Sequence, residues 1–138
     1  MAGKEKKLKP VFDFTKVGRE WQDKFADSAE RVSRLLVNAE RPLRRQKADE
    51  DNEEYDDYVQ AFYDAKEQSG AQLREEGSKQ ADLVCDVLVD VPREWLLPNA
   101  PEPIDWSNPD SLDLIQVDHY IEILDMVRTG EARKQAKN

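Results

Sequence analysis

The stretch from Val91 to Asp110 reads VPREWLLPNAPEPIDWSNPD and contains five of the chain's seven prolines and two of its three tryptophans. Each proline fixes its own φ, removes a backbone donor and restricts the preceding residue to extended conformations. A long helix or a central strand therefore cannot cross this stretch. Disordered segments are poor in large apolar groups, whereas this stretch contains Trp95, Leu96, Leu97, Ile104 and Trp106. These residues predict that residues 91–110 form an ordered connector, which we call the strap.

The apolar side chains of the strap have two alternative environments, the chain's own helices or a partner protein. Tryptophan is enriched among the residues that dominate binding at protein interfaces. We expect Trp95 to cover the chain's own helices. For Trp106 both alternatives stay open, and it is the strap residue that we expect to face outward.

The helix after the strap begins with a clear signal. Residues 107–110, SNPD, combine a capping side chain, a proline at the first helical position and an acid. This last helix is expected to run from Pro109 to about Thr129, and Gly130 suits the residue just past its end. Apolar side chains cover more than half of its circumference. Such a helix either lies centrally in the core or has a second face that awaits a partner.

The segment before the strap, residues 81–91, reads ADLVCDVLVDV. Its valine content suits a buried strand, whereas the four-residue spacing of Asp82, Asp86 and Asp90 suits the polar face of a helix. We interpret this segment as a helix.

The first helix is predicted between Val17 and Leu43, where Pro42 ends or kinks it. Residues 11–17 before it, VFDFTKV, have the composition of one short strand or an extended lead-in, without an obvious mate. The helical prediction rests on apolar residues that recur at steps of three and four, as one face of a 3.6-residue period requires: Trp21, Phe25, Ala29, Val32, Leu35, Leu36, Ala39 and Leu43.

Residues 44–82 form a charged arm that buries little, because their only large aliphatic or phenylalanine residues are Val59, Phe62 and Leu73. A second helical pattern starts at Tyr55 and weakens towards Leu73, and it is expected to fray or break at Gly70 and Gly77. A basic cluster (Arg41, Arg44, Arg45 and Lys47) precedes seven acids in the nine residues 49–57. We expect these two groups to pair with each other, within one chain or between chains.

These patterns predict a mostly α protein. A single helical domain of about four helices spans residues 11–130, with the strap before its last helix and one short N-terminal strand. Residues 1–10 are expected to be a basic disordered tail and residues 131–138 a polar tail.

The composition limits the classes of partner. The net charge of −9 argues against nucleic acid, since duplex binding needs clustered Lys and Arg to replace condensed counterions. The chain has neither a signal-peptide pattern nor an apolar run of membrane-spanning length. A lone cysteine, Cys85, fits a reducing compartment. We therefore expect a cytoplasmic protein that binds neither nucleic acid nor a membrane.

The residues offer little for catalysis or for a metal. The one histidine, His119, and the one cysteine, Cys85, both lie in apolar helical patterns, where packed side chains are far commoner than a catalytic pair. The acidic run does not fit a calcium loop, because Glu54 stands where glycine is needed and Gln60 where glutamate is needed. Nucleotide-binding motifs are absent from the sequence. We expect no enzymatic activity, no cofactor and no metal.

Three features together resemble the tail assembly chaperones of long-tailed bacteriophages: the opening KPVFDFTKVGREW at residues 9–21, the helical body, and VPREWLLPNAPEPIDWSNPDSL at 91–112 before a final helix. The resemblance covers residues 11–128, and the acidic run at 49–57 has no counterpart in it. It implies a small, acidic, mostly helical protein that coats the long helical tape measure protein. Such a protein helps tail subunits to polymerise around that client.

We therefore expect a non-enzymatic chaperone that binds a helical protein client and keeps it soluble, in the host cell cytoplasm. The alternative is a structural virion or assembly subunit that forms homo-oligomers through residues 91–110. The residues expected to bind protein lie in the strap and the last helix: Trp95, Leu96, Leu97, Ile104, Trp106, Tyr120, Ile123 and Val127.

Overall fold

The computed structural model of the protein describes residues 8–137, with side chains up to residue 136. These residues are mostly α-helical, as the sequence predicts, and contain four α-helices. Two short strands and two 3-10 helices complete the secondary structure. In chain order the elements are β1 (Val11–Phe12), α1 (Arg19–Ala39), α2 (Asn52–Cys85), β2 (Leu88–Asp90), the 3-10 helices Arg93–Trp95 and Pro109–Leu114, α3 (Val117–Thr129) and α4 (Glu131–Lys137).

The described chain divides into two compact units. One, the strap unit, comprises the residues up to Ala26 and those from Gln80 onward; the other, the helical-pair unit, comprises Asp27–Lys79. The helices α1 and α2 each contribute residues to both units. Most of the predicted disordered tail, residues 1–7 of 1–10, lies outside the described residues.

The prediction for α1 is confirmed, with an end at Ala39, three residues before Pro42. The predicted fraying of the second helix is wrong, because α2 runs without interruption for 34 residues. Each interior glycine costs a helix only about 1 kcal/mol relative to alanine. A helix of this length therefore absorbs Gly70 and Gly77 without breaking.

The interpretation of residues 81–91 as a helix is half wrong. Helix α2 ends at Cys85, and Leu88–Asp90 form β2, which pairs antiparallel with β1. The N–H of Asp13 extends this pairing by donating to the carbonyl of Val87 over 2.7 Å. The predicted N-terminal strand thus pairs with the valine-rich segment. Residues 88–90 form a strand because β1, distant in sequence, supplies their hydrogen-bonding partner.

The last helix is also interrupted. Asn108 caps a 3-10 helix at Pro109–Leu114 by accepting a hydrogen bond from the Asp110 N–H, and α3 begins only at Val117. Between them, the backbone at Ile115 is extended (φ −87°, ψ 136°) and pairs with the strap at Leu96. This pairing with the strap replaces the helical hydrogen bonds that a continuous helix would make.

Within the expected polar tail, residues 131–138, Glu131–Lys137 form the helix α4. Gly130 ends α3 in the left-handed conformation, with φ 86°. The chain reverses there, so that α4 packs on α3 and β1. Ala132 is completely buried as a result.

The strap unit has a continuous apolar core to which every one of its elements contributes. Its buried residues are Phe12, Trp21, Phe25, Val84, Cys85, Val87, Leu88, Val91, Trp95, Leu96, Ala100, Trp106, Leu112, Ile115, Ile123, Met126, Val127 and Ala132.

The left-handed glycine yields the first testable prediction. Replacing Gly130 by alanine should lower the free energy of unfolding by about 1 kcal/mol, because a side chain is disfavoured in the left-handed region by about 1–2 kcal/mol. Gly77 is the matched control, since an added Cβ also meets no atom within 4 Å there. Because Gly77 lies in the interior of α2, Gly77→Ala should raise the free energy of unfolding by about 0.5–1 kcal/mol. Urea unfolding followed by circular dichroism measures the free energy of unfolding of both variants. Changes of the same sign in the two variants would contradict the left-handed conformation of Gly130.

Candidate functional site

Three of the predicted binding residues in the strap are buried within the strap unit itself. Trp95, Leu96 and Trp106 are each 7% exposed. The expectation that Trp106 faces outward is therefore wrong, because its indole belongs to the unit's own core. Trp95 covers the chain's own elements, as predicted.

The strap is held by residues at the start of α3. The Gln116 N–H donates to the Trp95 carbonyl over 2.8 Å, and its side-chain amide donates to the carbonyls of Glu94 (3.2 Å) and Leu96 (3.0 Å). The Trp95 ring stacks on His119, with ring centroids 4.4 Å apart and planes 11° from parallel. These contacts fix the first half of the strap against α3.

Arg93, near the start of the strap, binds residues at its middle. Its guanidinium pairs with Glu102 over 3.0 Å and donates to the Ala100 carbonyl over 3.3 Å. An open groove of about 720 Å³ lies between β2 and this part of the strap. Half-buried Ile104 and exposed Val89 contribute apolar surface to the groove.

The predicted binding residues on the last helix point mostly inward. Ile123 is completely buried, Val127 is 5% exposed, and Tyr120 is partly buried. Burial raises the pKa of the Tyr120 hydroxyl to about 12, with a smaller contribution from nearby Cys85. These three side chains serve the core and leave little surface for a partner.

The exposed large apolar side chains of α3 belong to two residues that are not among the predicted binding residues. Val117 is 72% exposed and Ile121 is 57% exposed. They lie four positions apart and therefore share one face of the helix, which we call the α3 face. Both flanks of α3 are apolar in sequence, so periodicity alone could not tell which one packs inward. The only signal in the sequence was the excess of apolar residues around the helix.

Leu97 is the large apolar side chain of the strap that remains exposed, at 44%. Its N–H donates to the Leu114 carbonyl over 2.8 Å. The Leu97 backbone therefore lies beside Leu114, three residues before Val117 of the α3 face. Of the eight predicted binding residues, Leu97 is thus the one that combines an apolar side chain with substantial exposure.

The residues considered for chemistry are packed. Cys85 is buried, and this burial raises the pKa of its thiol to about 11. A protonated thiol is a poor nucleophile. His119 lies 3.4 Å from Glu122 through Nδ1, which makes no hydrogen bond, and its ring is covered by Trp95. The two side chains serve packing in this structure.

No family model, curated protein or solved structure matches this chain. Within residues 8–137, no three His, Cys, Asp or Glu side chains are grouped so that they could hold a metal ion. None of the helices described combines the length and the apolar character needed to cross a membrane.

The loop of the helical-pair unit is organised by Arg44. Its guanidinium forms a two-pronged pair with Glu50, over 2.9 and 2.8 Å, and lies 4.0 Å from the centre of the Tyr58 ring. The Tyr55 hydroxyl donates to the Arg44 carbonyl over 2.8 Å, and the Tyr58 hydroxyl accepts from its N–H over 3.2 Å. The expected pairing between the basic cluster and the acidic run is confirmed for Arg44 and Glu50.

A buried carboxylate joins α1 to α2 in the helical-pair unit. Glu76 accepts from the Ser28 hydroxyl over 2.7 Å and from Arg31 Nε over 2.7 Å, and Lys79 lies 3.4 Å away. The Arg31 hydrogen bond holds the pKa of Glu76 below its ordinary value, against the opposing effect of burial. Within this unit, Ser28 lies near the start of the α1 segment (residues 27–39) and Glu76 near the end of the α2 segment (residues 52–79), so the two segments run antiparallel.

The burial of Trp106 gives the second prediction. Trp106→Ala should lower the free energy of unfolding by about 3–5 kcal/mol, because it removes a large buried side chain and leaves a cavity. The matched variant in the same strap is Leu97→Ala, which should cost less than about 1 kcal/mol because the side chain is half exposed. Urea unfolding followed by circular dichroism compares them. Equal costs would show that Trp106 is not part of the core.

The Glu50 pair gives a prediction on pH. Hydrogen bonds from Arg44, and then from the Lys47 N–H, lower the pKa of Glu50 to about 2 from its ordinary 4.5. A lowered pKa stabilises the folded chain above about pH 4.5, and this contribution is lost as the pH falls towards 2. Carbon-detected NMR of the Glu50 carboxyl should show a midpoint near pH 2. In Arg44→Gln the midpoint should move up towards 4.5; an unchanged midpoint would contradict the pair.

Proposed function

We propose that this chain is a non-enzymatic tail assembly chaperone of a long-tailed bacteriophage, which binds a helical client and keeps it soluble during assembly. The expected client is the tape measure protein, and the expected location is the host cell cytoplasm. The observation that carries the proposal is the α3 face, where Val117 and Ile121 are 72% and 57% exposed on a helix whose other side is buried. The resemblance of residues 11–128 to these chaperones supplies the identity of the client.

The α3 face suits an amphipathic helix as its client. An amphipathic helix lays its apolar face on such a surface and is recognised through side chains one helical turn apart. The acids Asp118, Glu122 and Asp125 are exposed on the same helix. They favour a client with Lys or Arg beside its apolar face and disfavour association of two α3 faces, because like charges would meet.

The strap supports the α3 face by rigidity. The three hydrogen bonds of Gln116 and the stacking of Trp95 on His119 anchor the beginning of α3. A surface that is already ordered loses less conformational entropy when a client binds. The strap therefore acts on binding mainly through the helix that it holds.

A second candidate function is a virion or assembly subunit that oligomerises through residues 91–110. The open groove between β2 and the strap, with Ile104 half-buried beside it, favours this candidate. The burial of Trp95, Leu96 and Trp106 within the strap unit weakens it, because the largest apolar groups of the segment contribute little to a contact between subunits.

Co-expression with a tape measure fragment from the same phage genome tests the proposal. We expect the chain to increase the soluble fraction of the fragment and to co-purify with it. The double variant Val117→Glu and Ile121→Glu should weaken binding by at least about tenfold, because it places charges at the centre of an apolar contact. The control is Val11→Glu, at a site of similar exposure in the same unit, 51%.

The outcomes separate the two candidates. Loss of co-purification in the α3 variant, with binding retained in the control, supports the chaperone. A fragment whose solubility does not change with the wild-type chain contradicts it. If the chain self-associates and Leu97→Glu abolishes this association, the result supports the assembly subunit, with Leu97 and Ile104 at the contact.

A further inference from the structure

The helical-pair unit has no apolar core of its own. Among residues 27–79, only Ser28 and Glu76 are buried, and both are polar. Every large apolar or aromatic side chain in this range is partly or fully exposed. The most exposed of them are Leu36 (44%), Val37 (66%), Leu43 (36%) and Tyr63 (55%).

This lack of a core has a physical consequence. Most of the stability of a protein helix comes from packing its apolar face, and helical propensity alone contributes little. Two helices in one layer cover each other on a single side, so that the opposite side of each stays in contact with solvent. The partly buried residues on α2 in this unit follow one face of the helix, with members three and four positions apart, as in a helix that packs lengthwise: Tyr55, Tyr58, Val59, Phe62, Lys66, Ser69, Gly70 and Leu73. A further layer of helix would complete the packing of this unit.

The same unit carries two charged groups without ion pairs among the described residues. Arg41, Arg45 and Lys47 are exposed members of the basic cluster, and Arg44 alone of that cluster is paired. Glu53, Asp56 and Asp57 are exposed on the first turns of α2. The hydrogen bonds of the Arg44 backbone with the Tyr55 and Tyr58 hydroxyls hold the loop against these turns, so both groups lie at the same end of the unit.

We infer that the helical-pair unit is a homodimerisation surface, on which a second copy of this chain supplies the missing helical layer. In a two-fold dimer, the same patch of each subunit contacts the other. The exposed basic residues of one copy then face the acids of its partner, and the reverse contact forms at the same time. In this arrangement, each charged group faces a group of opposite charge on the other copy.

Charge complementarity is what selects a second copy as the occupant. A client helix of one predominant sign would place like charge against one of the two groups, which is unfavourable. The lengths suit a dimer as well: residues 27–39 and 52–79 extend over about 20 and 40 Å as helices. Helices about 10 Å in diameter and of these lengths present a face of roughly 600 Å² in projection, the order of area that a stable interface needs from each partner, about 800 Å². The dimer is independent of the proposed client binding, which uses the α3 face.

Light scattering during size-exclusion chromatography of the full chain tests the inference. At micromolar concentration and about 50 mM salt, where surface charges are least screened, we expect twice the mass of one chain. Two charge-reversal variants are then compared. The first is Arg41→Glu, Arg45→Glu and Lys47→Glu, and the second is Glu53→Arg, Asp56→Arg and Asp57→Arg.

Each variant alone should dimerise at least about tenfold more weakly, since like charges now meet twice across the two-fold axis. An equimolar mixture of the two should recover the dimer mass, because opposite charges meet again. The control matches the first variant in its change of net charge but places that change in the strap unit: Lys9→Glu, Lys16→Glu and Arg19→Glu, where all three residues are exposed. This control should dimerise like the wild type.

Recovery in the mixture supports the dimer even where one variant alone is less stable, since a misfolded chain cannot restore a specific partner. A wild-type chain that stays monomeric up to about 100 μM, well above the affinity range of specific interfaces, overturns the inference. A dimer that survives both charge reversals, or a control that also dissociates, overturns it as well, because the helical-pair unit would then not be the contact.

Discussion

The hydrogen bonds between the strap and Gln116 are the constraint on which the strap unit depends. A proline-rich segment has few N–H groups of its own, so its carbonyls must find donors elsewhere or remain unpaired at a high cost. Gln116 supplies donors to three consecutive carbonyls, at Glu94, Trp95 and Leu96. With these satisfied, Trp95, Leu96 and Trp106 enter the core. The extended backbone that makes this possible is the same feature that separates α3 from the 3-10 helix before it.

Local signals predicted much of this fold. The 3.6-residue period gave α1, the capping sequence at 107–110 gave a helix start at Pro109, and Gly130 marked the end of α3. Each of these depends on neighbours within a turn or two, so the residues that decide it are adjacent in sequence. The ordering of the strap was predictable for a related reason, since its prolines and tryptophans are incompatible with both a helix and a disordered linker.

The features that could not be predicted depend on residues far apart in the chain. The strand β2 exists because β1, more than seventy residues earlier, supplies its hydrogen-bonding partner. The choice of the face of α3 that packs inward depends on where the strap interrupts the helix, at Ile115 and Gln116. For the same reason, Trp106 could not be assigned to the core from its own sequence environment. The candidate binding surface therefore moved from Ile123 and Val127 to the opposite flank of the same helix.

The buried pair of Ser28 and Glu76 also determines how α1 and α2 are aligned. Antiparallel helices with a repetitive pattern of apolar residues can slide past each other by whole turns at little cost in packing. Any such slip in the helical-pair unit would move Glu76 away from the Ser28 hydroxyl and the Arg31 guanidinium that it now contacts. A carboxylate buried without these partners is strongly unfavourable. One polar contact thus selects a single axial register from several that hydrophobic packing alone would tolerate.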